Sequence, residues 1–186
     1  PEPLDLQVRR FLASQAIMLS LAGMPGIYVH SLFGSRSYQV GVAQTGQYRS
    51  INREKFRRHE LEKELANPAS IRHRVFYPYL QLIRTRSAHP AFHPSAPQQI
   101  LSVHPTLFVL LRTAPDRSET LLCVHNVSGA EQPLRVNLDS PCFARSGQVR
   151  DLVSESVYSV DAMGVLNLQV APYQVLWLTR HTGGLA

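Results

Sequence analysis

The residues of this sequence whose types and spacing could bind a substrate lie in one polar segment, residues 45–53, which reads TGQYRSINR. The planar guanidinium of Arg49 carries a fork of donors that can bridge two hydroxyls of a sugar or hold a phosphate. The neighbouring ring of Tyr48 could stack on a sugar ring. We therefore predict that Tyr48 and Arg49 bind substrate.

A second interpretation of the same segment is structural. Arg49 and Arg53 could be solvated, or they could pair with the nearby carboxylates of Glu54 and Glu60. His30 follows an apolar run and could hydrogen-bond a ligand, although a single histidine at a strand end is more often structural. We keep His30 as a third candidate for substrate binding.

The other reactive residue types form no recognisable catalytic pattern. His59, His73, His104 and His125 lie too far apart for a motif such as HExxH, so we predict no metal site. The sequence has no phosphate-binding glycine loop, no GxSxG element and no convincing acid–base pair of carboxylates. We accordingly predict no catalytic residue and no organic cofactor here.

Composition and charge indicate a globular protein in two parts. Of the 186 residues, 44% are hydrophobic and 17% are charged, as in ordinary folded domains. Residues 1–93 contain 13 basic and 6 acidic residues, whereas residues 94–186 contain 6 and 7. Acidic residues are mixed through the basic run 53–74 and no aromatic platform accompanies it, so we predict no nucleic-acid partner.

Cysteine spacing and the first apolar run bear on the compartment. Cys123 and Cys142 show no metal-binding or disulfide spacing, which indicates buried thiols, and we predict a cytoplasmic protein. Residues 11–29 are apolar, but polar residues interrupt them, and Gly23 and Pro25 break the run before it could span a bilayer. We therefore predict no membrane partner.

Hydrophobic periodicity predicts helices first and strands later. Apolar residues about four apart from Leu4 onward predict a buried helix, and residues 26–29 a short buried strand. Residues 31–51 are predicted to form a long loop, which in a compact domain is more often functional than not. Two helices are then expected, over residues 57–66 and from Ile71 onward.

Short alternating segments after Pro97 predict an antiparallel sandwich or barrel, with Trp177 in its core. The candidate strands are residues 100–103, 107–111, 120–127, 133–138, 149–153, 165–170 and 173–178.

Four segments together resemble one family. Residues 23–35, GMPGIYVHSLFGS, resemble the eighth barrel strand of glycoside hydrolase family 13, the α-amylase family. Residues 46–53 resemble the Gly-Arg-x-Ile-Asn-Arg loop of its sucrose phosphorylase branch, although two residues separate Gly46 from Arg49 here. Residues 91–94 and 172–178 are similar to the same branch, the latter to the closing strand of the family's C-terminal β-sandwich.

The resemblance implies a fold and a domain organisation. Residues 1–93 would form the last strand and helices of a (β/α)8 barrel, and residues 94–180 an antiparallel all-β sandwich. Residues 181–186 would be a flexible tail. The chain is therefore predicted to be an α+β segment that contains only the C-terminal portion of the family's fold.

The resemblance also implies a function. It implies that Arg49 helps to hold the glucosyl group of the donor, and that inorganic phosphate is the co-substrate for sucrose or a related α-glucoside. Glycerate-type glucosides are one candidate. The two carboxyl groups that the family uses for retention belong to earlier strands, so the segment alone is expected to be inactive.

Two alternative functions stay open. In one, the chain is a non-catalytic scaffold or a carbohydrate-binding sandwich, which a row of exposed aromatic residues would favour. In the other, water replaces phosphate and the protein is a hydrolase of the same family.

A last expectation concerns association. With a single barrel strand, the apolar side chains of Leu12, Leu19, Ile27 and Val29 would have nothing to cover them. Residues 1–30 are therefore predicted to pack against the remainder of a barrel or a second copy, or to rearrange.

Overall fold

The fold is taken from a computed structural model of the protein, which describes residues 2–138, 143 and 147–181. Backbone contacts group the chain into two units. The β unit consists of Pro1–Pro25 together with Leu82–Ala186, and the helical unit of Gly26–Gln81. The domain boundary predicted after residue 93 stays a prediction. Within the described ranges, no helix is both long and apolar enough to cross a membrane.

The β unit is a sandwich of two antiparallel sheets, which confirms the predicted fold class. Its strands are β1 (Gln98–His104), β2 (Leu107–Thr113), β3 (Thr120–Asn126), β4 (Gln132–Asn137), β5 (Gln148–Asp151), β6 (Val157–Ser159), β7 (Val165–Val170) and β8 (Val175–Arg180). One sheet has the order β1-β2-β3-β8-β5-β6, and the other pairs β4 with β7. Every predicted strand of this unit is present, while β6 was not predicted.

The core of the β unit lies between the two sheets. Outer strands alternate, as in β4, where Leu134 and Val136 are buried and their neighbours Pro133 and Arg135 are exposed. Strand β3 is instead buried along all seven residues. One of its faces contributes Leu122 and Val124 to the core between the sheets.

Helix α1 (Leu4–Ser20) packs on β3, which explains why β3 has no solvent-facing side. Its buried face includes Val8, Ala16 and Leu19. The expectation that Leu19 would lack cover is therefore wrong, because the sandwich of the same chain covers it. Ile27 and Val29, in contrast, are 37% and 47% exposed.

The C-terminal end of helix α1 is capped by the buried side chain of Arg86. Its guanidinium donates hydrogen bonds to the carbonyls of Leu19, Leu21 (3.4 Å) and Gly23 (2.8 Å). Carbonyls at a helix C-terminus have no partner within the helix and carry its negative dipole end. A cation is therefore stabilised at this position.

A second buried arginine serves the same helix end. Arg112 on β2 donates to the carbonyls of Ser20 (2.8 Å), His93 (2.8 Å) and Ala96 (3.3 Å). Among the described residues, neither Arg86 nor Arg112 has a carboxylate partner. Burial lowers the pKa of both guanidiniums, and the charge of Arg86 lowers the pKa of Arg112 further.

The helical unit contains α2 (Val29–Leu32), α3 (Gln39–Thr45), a 3₁₀ turn (Tyr48–Asn52), α4 (Arg58–Ala66) and the first part of α5 (Ile71–Ala88). Helices α4 and α5 confirm the two predicted helices. Ser70 caps α5, since its hydroxyl accepts the backbone N–H of His73 at 3.0 Å.

Two predictions for the helical unit are wrong. Residues 26–29 form no strand, because all strands of the described chain lie between Gln98 and Arg180. A strand needs neighbours to accept and donate its backbone hydrogen bonds. Without neighbouring strands, the backbone is extended at Tyr28, and helix α2 begins at the next residue, Val29. The predicted loop 31–51 also contains a helix, α3, and the start of the 3₁₀ turn.

The structure describes one of the two cysteines that were predicted to be buried thiols. Cys123 on β3 is a free cysteine with no exposed surface, and burial raises the pKa of its thiol. Cys142 and all but the first residue of the predicted tail 181–186 lie outside the described residues.

The buried imidazole of His125 connects strand β3 to the rest of the core. Its Nδ1 lies 3.1 Å from the carbonyl of Phe108, and the indole N–H of Trp177 donates to its Nε2 at 3.4 Å. This pattern requires a neutral ring with the proton on Nδ1. Trp177 has no exposed surface, so its predicted place in the core is confirmed.

Substitution of Arg112 tests the cap on helix α1. Arg112→Met leaves the three accepting carbonyls without their donor in a buried site, so the free energy of unfolding should fall by about 3 kcal/mol. Arg135→Met, at an exposed position on β4, should change it by less than about 0.5 kcal/mol. Urea denaturation measures both. Equal effects of the two substitutions would contradict the capping role.

His125 predicts how stability depends on pH. Burial lowers its pKa from 6.5 to about 4, so between these pH values the unfolded chain binds a proton that the folded unit does not. The free energy of unfolding should therefore fall as the pH drops from 6.5 to 4, by about 3 kcal/mol from this residue, and then level off. Urea denaturation of the protein and of His125→Gln across this range gives the contribution as their difference. A difference that stays constant with pH would contradict the assignment.

Candidate functional site

Tyr48 and Arg49 lie on the 3₁₀ turn Tyr48–Asn52, which follows α3 directly. Gly46 ends α3 with a φ of 65°, a left-handed conformation that glycine adopts without strain. The hydroxyl of Thr45 then lies 2.9 Å from that of Ser50. The end of α3 therefore fixes where the turn begins.

The far end of the turn is held by two hydrogen bonds. The carbonyl of Ile51 accepts the backbone N–H of Tyr38 at 2.6 Å, and the carbonyl of Asn52 accepts the hydroxyl of Tyr28 at 2.7 Å. Tyr28 belongs to the extended segment that precedes α2. Local hydrogen bonds thus anchor both ends of the turn, while its middle faces solvent.

The side chains of Tyr48 and Arg49 are exposed, and that of Tyr48 is 88% exposed. The alternative in which Arg49 pairs with Glu54 or Glu60 is not found. Glu54 pairs with Arg72 at 3.1 Å, and Glu60 lies 3.8 Å from the ring of His59 and 3.9 Å from Arg57. The side chain of Arg49 forms no hydrogen bond or ion pair with any described residue, so its guanidinium is free to bind a ligand.

His30 lies in a different environment from Arg49. Its side chain is buried, its Nδ1 lies 3.2 Å from the hydroxyl of Ser35, and its ring centroid lies 4.6 Å from that of Phe56. It lines a cavity of about 120 Å³, which is well below the roughly 300–1,000 Å³ of small-molecule sites. His30 is therefore packed and hydrogen-bonded, as expected for a structural histidine.

The small cavity contains residues that sequence reasoning did not single out. The other residues that line it are Ser35, Arg36, Ser37, Ile51, Asn52 and Glu54. Most of them belong to the predicted loop 31–51 or follow it directly, and the length of that loop was the only signal that pointed to them. The structure brings Tyr48 and Arg49 together on one turn but does not place them in the cavity with His30.

Two carboxylates of the β unit, Asp151 and Glu155, have structural roles. The buried Asp151 accepts the backbone N–H groups of Val153, Ser154 and Trp177. Glu155 pairs with Arg150. In the part of the chain that the structure describes, no group of three His, Cys, Asp or Glu residues could hold a metal ion.

Solved structures share the fold of this chain. The fold matches that of AmyP E221Q in complex with maltotriose at a TM-score of 0.72 and 17% identity, over 94% of this chain and 35% of that chain. It also matches an Anoxybacillus α-amylase at a TM-score of 0.70 and 13% identity, over 96% and 34%. The fold is therefore that found in α-amylases of glycoside hydrolase family 13, as the sequence predicted.

Curated relatives give the branch. The chain is 41% identical to the glucosylglycerate phosphorylase of Spirochaeta thermophila, over 94% of this chain and 30% of that protein. It is 34% identical to the glucosylglycerate phosphorylase of Escherichia coli K12, over 91% and 28%. No family model matches. The resemblance to the glucosylglycerate phosphorylase-like branch of glycoside hydrolase family 13 is confirmed, and the chain spans roughly 30% of the length of these relatives.

Proposed function

We propose that this chain is one portion of an enzyme that transfers a glucosyl group from a glycerate-type α-glucoside to inorganic phosphate. The observation that carries the proposal is the similarity of nearly the whole chain to proteins named glucosylglycerate phosphorylase. Sucrose, the other substrate that the sequence suggested, is a second donor to test. The reaction releases glucose 1-phosphate and leaves the acceptor with its proton.

Retention at the anomeric carbon needs two carboxyl groups, one as nucleophile and one as acid and base. Glu54 and Glu119 are tied to Arg72 and His89, and Asp151 holds backbone amides. We infer that the catalytic pair is supplied by residues outside this chain. The segment alone is then inactive, and it contributes to substrate binding.

Arg49 is the residue that we propose to bind the glucosyl group. Its guanidinium is exposed, unpaired among the described residues and held on a turn that is anchored at both ends. Two of its donors can reach adjacent hydroxyls of one sugar, since the fork is planar and rigid. Tyr48 offers an exposed ring beside it.

The remainder of a barrel is the partner that we propose for residues 27–29, which lead into α2. Ile27, Tyr28 and Val29 are consecutive apolar residues that are 37%, 46% and 47% exposed. The backbone of Tyr28 is already extended, so neighbouring strands could pair with this segment and cover its side chains. A second copy of the chain is the other candidate partner. We place the enzyme in the cytoplasm, since the described cysteine is a buried free thiol.

The carbohydrate-binding alternative finds no support in the β unit. A binding surface of this kind uses exposed aromatic rings. The aromatic residues of the described part of residues 94–181 are all buried or half-buried, namely Phe108, Phe143, Tyr158, Tyr173 and Trp177. The hydrolase alternative differs from phosphorolysis only in the final acceptor, so an experiment must decide it.

A chimera tests the proposed function. The chain replaces the matching segment of the Spirochaeta thermophila glucosylglycerate phosphorylase, and the product is assayed with glucosylglycerate or sucrose, with and without phosphate. We expect release of glucose 1-phosphate that requires phosphate. Free glucose formed regardless of phosphate would identify a hydrolase, and a folded chimera without turnover would favour the scaffold alternative.

Arg49→Ala in this chimera should lower kcat/KM by about 10- to 100-fold, because charged hydrogen bonds to the glucosyl group are lost. Arg58→Ala is the matched control, since Arg58 is an exposed arginine of α4 that pairs with Glu62 at 2.7 Å. The control should retain nearly full activity. Steady-state kinetics with varied glucoside measures both. Equal kcat/KM values for the two variants would contradict the assignment of Arg49 to the donor site.

A further inference from the structure

Arg72, in the first turn of α5, has four partners in the helical unit. Its guanidinium donates to Glu54 at 3.1 Å and to the hydroxyl of Ser35 at 2.9 Å, forms an ion pair with Glu64, and lies 4.8 Å from the ring centroid of Phe56. The side chain of Arg72 is only 13% exposed. The carboxylates of Glu54 and Glu64 are 35% and 51% exposed, so the guanidinium is the shielded partner of both ion pairs.

These partners come from three different segments of the unit. Ser35 follows α2, Glu54 and Phe56 follow the 3₁₀ turn, and Glu64 is on α4. Glu54 lies five residues after Arg49 in sequence. Arg72 therefore ties the segment just beyond the turn to two other parts of the same unit.

The 3₁₀ turn is held by hydrogen bonds at its two ends and by little packing of its own. None of its five residues is fully buried, and Tyr48, Arg49 and Asn52 are exposed. The pairing of Arg72 with Glu54, and the ring of Phe56 beneath the guanidinium, also fix the segment just beyond the turn.

We propose that Arg72 is a positioning residue for Arg49, which holds the 3₁₀ turn through Glu54 so that the Arg49 guanidinium is presented in one orientation. The proposal rests on the proposed function for the role of Arg49, but its structural part does not. An arginine suits this task, since its fork can serve Glu54, Glu64 and Ser35 in different directions, whereas a lysine is a point charge.

The first test needs no activity. Glu54→Gln keeps the size of the side chain and removes the ion pair to the turn, while Arg72 keeps Glu64. Glu62→Gln is the matched control, because it removes the exposed ion pair with Arg58 on α4. Hydrogen–deuterium exchange of the 186-residue protein should become about tenfold faster at residues 47–54 in Glu54→Gln only. Unchanged exchange there would overturn the proposal.

The second test asks whether the effect passes through Arg49. In the chimera, Glu54→Gln should lower kcat/KM for glucosylglycerate about tenfold, and less than about twofold when Arg49→Ala is already present. The kcat/KM of Arg72→Lys for glucosylglycerate should lie between that of the parent chimera and that of Arg72→Gln. Additive losses would overturn the positioning role, since a general structural defect acts equally in both backgrounds. If the parent chimera has no turnover, the proposed function fails and the exchange experiment alone decides on Arg72.

Discussion

The β unit depends on how the end of helix α1 is satisfied inside the protein. The last residues of α1, Leu19 and Ser20, are fully buried, and an unpaired carbonyl there would be costly. Arg86 from α5 donates hydrogen bonds to the carbonyls of Leu19, Leu21 and Gly23. Arg112 from β2 donates to those of Ser20, His93 and Ala96. The two cations have the negative end of the helix dipole as their counter-charge. These hydrogen bonds fasten the end of α1, which packs on β3 and contributes to the burial of that strand.

Much of this fold could be predicted from the sequence, since its periodicity is local. Helix α1 begins at Leu4 as expected, and α4 and α5 lie close to their predicted positions. Strand β7 has its predicted bounds. Strand β6, in contrast, has three residues and a largely exposed pattern, so no alternation of buried residues reveals it.

What the sequence could not show is what depends on distant partners. Residues 26–29 have the composition of a buried strand, but a strand forms only where other strands accept its hydrogen bonds. Arg86 and Arg112 look like surface residues in the sequence, and only the fold reveals the carbonyls around them. In the candidate site, the polar segment and Arg49 could be found by motif, whereas the contacts of Arg72 depend on three segments that are far apart in sequence.

The β unit is discontinuous in sequence, since the helical unit, Gly26–Gln81, separates its two parts, Pro1–Pro25 and Leu82–Ala186. During synthesis α1 is complete about 100 residues before β3, and at roughly 5–20 residues per second it waits for about 5–20 s without its packing partner. Helix α1 can therefore pack on β3 only after the helical unit and the first two strands have been synthesised. A contact between segments this far apart in sequence carries a loop-closure cost, and it slows the folding of the β unit.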